Sequence, residues 1–275
     1  MKLAIAVVIL SAVLPISQAQ QPTAGPAEAD DPCSAQSRPT FEVATIKPSD
    51  KSAGGSSMHR RSDSFVSSSV LRQLILFSYD LRDFQLTGGP DWVSTQVWEI
   101  SARVDPPDPD PVTLDEVGRK ALIDTERHRL QSLMADRFKF KCHMTTKELP
   151  IYELVPAKGG VKLTPTAAVP EKQGSMSSNG NDRSEKLVAT GILLSDLVRY
   201  LSSDVGRNVV DKTGLTGSYD MTMTWVPAMA SAADSDASGA TIFTALEEQL
   251  GLKLVPAKGP VKVLVIDSVE KPSEN

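Results

Sequence analysis

Apolar residues recur along the chain in two rhythms, and each rhythm occurs twice. Leu71, Leu74 and Ile75, with Phe77 and Leu81 close by, have the spacing of one helix face. Leu194, Leu197, Val198 and Leu201 repeat it. A turn-rich stretch follows each: Thr87-Gly88-Gly89-Pro90-Asp91 after the first, Asp211-Lys212-Thr213-Gly214 after the second. Period-two strands come next. Trp98, Ile100, Ala102 and Val104 share one face, as do Met221, Met223 and Trp225.

A second helix and further strands then follow in each half. Thr113 and Glu116 fit a capping box for a helix running to about Arg137, with Leu130, Leu133 and Met134 on its apolar face. Phe138, Phe140, Cys142 and Met144 alternate as a strand, and Ile151 to Val155 form another. In the second half Ile242, Leu246 and Leu250 make the helix face, and Gly251 supplies a stop. Leu252 and Leu254 begin a strand, Lys258-Gly259 reads as a turn, and Val261 to Val269 is the strongest strand pattern in the chain. Each half thus reads helix, strand, helix, strand, strand.

A constant offset of 123 residues superposes Leu71 on Leu194, Leu74 on Leu197, Ile75 on Val198, Phe77 on Tyr200, Trp98 on Met221 and Ile100 on Met223 without a gap. The pattern predicts an α+β fold made of two related small units. A competing match, Val155 to Gly159 with Val255 to Gly259, leaves the helices unaligned and reads as shared turn chemistry or chance.

The polar stretches set the boundaries. Residues 1–19 read as a secretory signal: Lys2, an apolar run from Leu3 to Leu14, Pro15, then Ser17-Gln18-Ala19 ahead of the cut. The run is well short of the roughly 20 residues of a spanning helix. Residues 20–40 read as a disordered lead-in, 41–165 as the first α+β unit, 166–187 as a linker and 188–275 as the second unit. Residues 227–240 read as a long loop. The expectation is an exported protein, periplasmic or secreted after cleavage near Ala19, with no transmembrane segment in the mature chain.

Composition narrows the function classes. Of 275 residues, 40% are hydrophobic and 5% aromatic, so a core forms and a multi-span membrane protein is excluded. A net charge of −5 argues against nucleic acid as a partner. His59, His128 and His143 lack metal-ligand spacing, and no HExxH, CxxC, P-loop or G-x-S-x-G motif occurs. The residues therefore suggest no catalytic, cofactor or metal site. Cys142 and His143 fall on opposite strand faces and cannot act as nucleophile and base. The carboxylate pairs Asp30-Asp31, Asp108/Asp110 and Glu247-Glu248 read as loop or surface groups, and His128 as part of a solvated charged run from Glu126 to Arg129.

Three features stay open. Export permits a disulfide between Cys33 and Cys142, against a buried Cys142 thiol and a separate Cys33. Trp98 and Trp225 read as core, whereas Trp92, after Asp91, is a plug or a contact residue. Asp211 and Lys212 sit in a turn and are weak candidates for ligand contact.

Several segments resemble a known family. They are Phe41-Glu42-Val43-Ala44-Thr45-Ile46-Lys47-Pro48, Leu71 to Leu81, Gly89-Pro90-Asp91-Trp92-Val93, Leu130 to Phe140, Thr146-Lys147-Glu148-Leu149-Pro150, Val210 to Gly217, and the tail from Phe243 to Asp267. They are similar to the soil-associated exported proteins abundant in acidobacteria, which carry a domain of unknown function. Relatives fused behind membrane metallopeptidases of the antirepressor type imply sensing or binding outside the cytoplasm. Residues 192–269 also look like the short N-terminal domain of secretins and TonB-dependent receptors, a small α/β interaction module. Such likeness does not fix function. The resulting expectation is a non-catalytic binding or sensing module of the cell envelope. Its partner would be an envelope protein, peptide or glycan. The alternative is a hydrolase of envelope or extracellular polymers with a non-local active site.

Overall fold

In a computed structural model, residues 32–34, 38–50, 56–166, 174–181, 183–227 and 240–273 are described. The segment read as a signal, 1–19, most of the lead-in and most of the 227–240 loop lie outside them. The first half runs β1 (Val43–Ser49), β2 (Ser57–Arg60), β3 (Ser64–Val70), α1 (Leu71–Ser78), β4 (Leu86–Gly88), α2 (Trp92–Thr95), β5 (Val97–Arg103), α3 (Glu116–Arg137) and β6 (Lys141–Pro156). The second runs β7 (Thr164–Pro165), β8 (Ser175–Asn181), β9 (Ser184–Leu193), α4 (Leu194–Asp204), β10 (Val209–Asp211), β11 (Ser218–Trp225), α5 (Ile242–Ala245) with a π-turn Leu246–Leu250, and β12 (Leu252–Ser268). The fold is mixed α+β, with three four-stranded sheets ordered β1-β5-β3-β2, β10-β6-β12-β4 and β7-β11-β9-β8.

The middle sheet belongs to neither half. β6 and β12 pair antiparallel along their whole length, from Leu252 opposite Pro156 to Ser268 opposite Lys141. Each takes its other neighbour from the opposite half. β10 of the second half runs parallel to β6, with Val209 beside Tyr152. β4 of the first half runs parallel to β12, with Leu86 beside Leu264. Leu86 and Val209 lie 123 residues apart, so β4 and β10 stand at matching positions of the sequence pattern, and each pairs with the long strand of the other half.

The cores follow this pairing. Leu71, Leu74, Trp98, Met134 and Phe138 of the first half are closed over by Leu264 and Ile266 from β12. Leu197, Leu201, Trp225, Leu246 and Leu250 of the second are joined by Leu154 from β6. A third, smaller cluster of Ile151, Val261 and Val263 lies on the ribbon between them. A fully buried leucine contributes about 2 kcal/mol of hydrophobic stabilisation, so each half draws part of its stability from the other's strand.

Several expectations need correction. The last two strands expected in each half are one continuous strand, of 16 residues in β6 and 17 in β12. Lys258 and Gly259 are not a turn; they pair with Pro150 and Leu149. The prolines within these two strands all share one register parity: Pro150 faces Lys258, Pro156 faces Leu252, Pro256 faces Tyr152 and Pro260 faces Glu148. The Tyr152 amide, of the same parity, donates outward to the Asn208 carbonyl at 2.9 Å. A proline at these positions therefore removes no bond between β6 and β12.

The segment read as a linker, 166–187, holds β8 and the start of β9. Phe138 and Phe140 precede β6 and are buried in the first core. The cap of α3 is Asp115, which accepts from the Gly118 amide at 2.8 Å, while Thr113 ends a 3₁₀ turn. The end of the lead-in is packed: the Ser132 hydroxyl donates to the Pro39 carbonyl at 3.0 Å. Cys33 is bonded to Cys142 and lies against the first core. Gly251 ends the π-turn at φ 65°, where a Cβ would fall on the Gly160 carbonyl oxygen.

Candidate binding pocket

A cavity of about 300 Å³ opens where the second half meets β6. Four segments line it: Tyr152 on β6; Asp204 at the end of α4 with Val205 and Arg207 after it; Trp225 and Val226 at the end of β11; and Thr241 to Phe243 at the start of α5. Backbone bonds fix the walls. The Tyr152 amide holds the Asn208 carbonyl, and the Val226 amide donates to the Ala240 carbonyl at 2.9 Å.

The lining is aromatic with one charge of each sign. Phe243 meets Tyr152 edge-on, with ring centres 5.4 Å apart. The Arg207 guanidinium lies over the Tyr152 ring, 5.3 Å from its centre. This pairing sets a cation against an aromatic face at the pocket wall. Trp225 is buried and forms the floor, packed edge-on against Tyr200 at 6.2 Å. The Tyr200 hydroxyl donates to Glu185 at 2.9 Å. Burial raises the Tyr200 phenol above its ordinary pKa. Asp204 is also held above the usual carboxylate range, first by desolvation and second by the charge of Glu185.

The rings of Tyr152, Phe243 and Trp225 give the pocket walls suited chemically to a flat or branched apolar group. It offers Arg207 to an acceptor and Asp204 to a donor at the rim. Its lining holds a single carboxylate, not the facing pair used in glycoside hydrolysis. Among the described residues no group of three or more His, Cys, Asp or Glu side chains is placed to hold a metal ion.

The four contact candidates from the sequence lie elsewhere. Asp91 is exposed, and its side chain caps nothing at the start of α2. Trp92 is half-buried, edge-on to Trp98 at 6.1 Å, with the Lys271 ammonium 5.9 Å above its ring. The Asp211 carboxylate accepts from the Thr213 amide at 2.8 Å and its hydroxyl at 2.7 Å, which builds the turn. The Lys212 amide donates to the Leu154 carbonyl at 2.9 Å. Asp91 and Trp92 follow β4, whereas Asp211 ends β10 and Lys212 follows it, and these strands form opposite edges of the middle sheet. The fold does not assemble them into one site.

Two charged groups read as surface are buried. Glu126 is 2% exposed. Asp108 receives both terminal nitrogens of Arg129, at 2.6 and 2.9 Å, with both side chains about nine-tenths buried. His128 is exposed, and His143 forms a 2.7 Å pair with Asp267 on the outer face of the middle sheet.

The fold is a mixed α+β arrangement of several sheets with a cavity of about 300 Å³ beside β6. Residues 72–269 match the family described as "Protein of unknown function (DUF3738)", and the chain belongs to that family. The matched span runs from α1 to the end of β12 and contains every residue of the pocket. No curated protein and no solved structure matches the chain. Among the described residues, no helix is long and apolar enough to cross a membrane.

Proposed function

We propose that this protein is an exported, non-catalytic binding module that receives a peptide in the Tyr152 pocket. The observation that carries this reading is the pocket's construction. Tyr152 comes from the first half and Arg207, Trp225 and Phe243 from the second, so an occupant bridges the junction between them. An apolar side chain fits the aromatic walls, while Asp204 and Arg207 match the donor and acceptor of a peptide backbone. The amino-terminal signal supports export to the periplasm or the medium. The repeated order of elements supports descent from one small interaction unit, of the kind seen at the start of secretins and TonB-dependent receptors. Bridging of the halves gives a route from binding to sensing, because a ligand there stabilises the strands paired across them.

The test is a thermal-shift screen of the mature chain against short peptides, with cell-wall oligosaccharides as the comparison set. Peptides with one large apolar side chain raise the melting temperature, and Phe243→Ala abolishes the rise. A rise only with glycans overturns the peptide assignment. A blank screen across both sets overturns the binding reading.

A further inference from the structure

A second cleft, sharing no residue with the Tyr152 pocket, lies in the first half beneath β2. Its volume is about 150 Å³, room for about five water-sized groups. Met58, Phe65, Phe77 and Ile123 make its apolar wall, and Arg60 and Glu126 supply its polar atoms. Neither carboxylate oxygen of Glu126 has a hydrogen-bond partner, and neither does Nη1 of Arg60, although all three atoms are buried. Leaving buried polar groups unpaired costs about 1–3 kcal/mol each, more for charged ones, so the cleft is built as if for an occupant.

We propose that the cleft binds a compact aliphatic monocarboxylate, received between Arg60 and the carboxyl group of Glu126. Charge balance favours this ligand. The charged groups acting on Glu126 are Arg129 on its own helix, Arg60 from β2 and Asp108 from the segment before α3. The remaining walls, from α1 and β3, bring Phe77 and Phe65. Arg129 is already engaged with Asp108 and stands 3.9 Å from Glu126. With Glu126 protonated, two arginines face one aspartate, and the excess positive charge matches one carboxylate. Desolvation raises the Glu126 pKa to about 7, so the proton is present in mildly acidic solution. The acid then donates its O–H to the ligand carboxylate, and Arg60 donates from the other side. At higher pH the same complex takes one proton from solvent.

The experiment is calorimetric titration of the full mature chain with isobutyrate at pH 6 and pH 8, in buffers of different ionisation heat. Saturable binding is expected at pH 6, weakening about tenfold per pH unit above 7, with proton uptake approaching one per ligand. Arg60→Met should abolish binding. Glu126→Gln, which still donates a hydrogen bond, should keep binding and lose its pH dependence. An N-acetylated dipeptide ending in valine tests whether the carboxylate belongs to a chain end: binding as tight as isobutyrate's assigns the cleft to peptide termini. No saturable binding of either acid to the folded protein at pH 6 overturns the proposal, as does equal binding of isobutyramide.

Discussion

The Tyr152 amide donates to the Asn208 carbonyl at 2.9 Å, and that bond stands where the second half enters the first. On the other side of the ribbon Leu86 enters beside Leu264. The halves are therefore interlocked, and their unfolding should be coupled. Leu264 is fully buried in the first core although it belongs to the second half. Leu264→Ala should cost about 3 kcal/mol. It should also lower the urea midpoints reported by Trp98 and by Trp225 together, each followed in a variant lacking the other tryptophans. Separate midpoints would show independently folding halves.

The Cys33–Cys142 bond closes a loop with a sequence separation of 109. A cross-link of that span stabilises by about 4–5 kcal/mol on the chain-entropy account. Protein from an oxidising compartment should take up no alkylating agent when unfolded without reductant. Adding reductant should lower the melting temperature. Alkylation of two thiols without reductant would show that the bond does not form.

Glu126 gives stability a pH dependence of defined sign. Its ordinary pKa of 4.5 is raised to about 7 in the folded state, first by burial and against the opposing pull of Arg129 and Arg60. Below pH 4.5 the group is protonated whether folded or not. Between 4.5 and 7 only the folded state keeps the proton, so this contribution falls as pH rises and levels off above 7. The total loss is about 3 kcal/mol. Denaturant unfolding of wild type and Glu126→Gln across this range isolates the effect: their difference should grow with pH and then flatten. A constant difference would place Glu126 in water.

Asp108→Ala leaves the Arg129 guanidinium, 11% exposed, without its carboxylate. Breaking one side of a buried ion pair costs about 3–5 kcal/mol. Asp110→Ala, which removes only the exposed bond to the Val112 amide at 2.9 Å, should cost about 1 kcal/mol. Equal losses would contradict the buried geometry.

The sequence showed these features unevenly, for physical reasons. α1, α4, β5 and β11 are legible because each puts large apolar groups on one face at the period of its element. β3 is not, because Ser67 and Ser69 point inward and satisfy each other at 2.8 Å, beside Ile100 and Trp98, which fill the space. β8 is exposed at every residue and carries no alternation. β6 and β12 read as broken because the apolar alternation lapses from Thr145 to Pro150 and because Lys258-Gly259 has the composition of a turn, yet both stretches stay paired in the ladder. The pocket is the least legible part. Tyr152, Arg207, Trp225 and Phe243 meet only because β10 crosses to β6, and no local pattern records a pairing across the halves. Glu126 sits among charged neighbours on α3, and a carboxylate in a charged run reads as solvated, although its place four residues before Leu130 puts it on the apolar face.

Binding at the junction pocket is tested most directly by a nuclear magnetic resonance titration. The ¹⁵N-labelled mature chain would be titrated with the peptides that raise its melting temperature. Saturable shifts are predicted at the Trp225 indole and at the amides of Asn208, Val226 and Phe243, absent in Arg207→Ala and Phe243→Ala. Shifts confined to other surfaces, or unchanged in those variants, would contradict it.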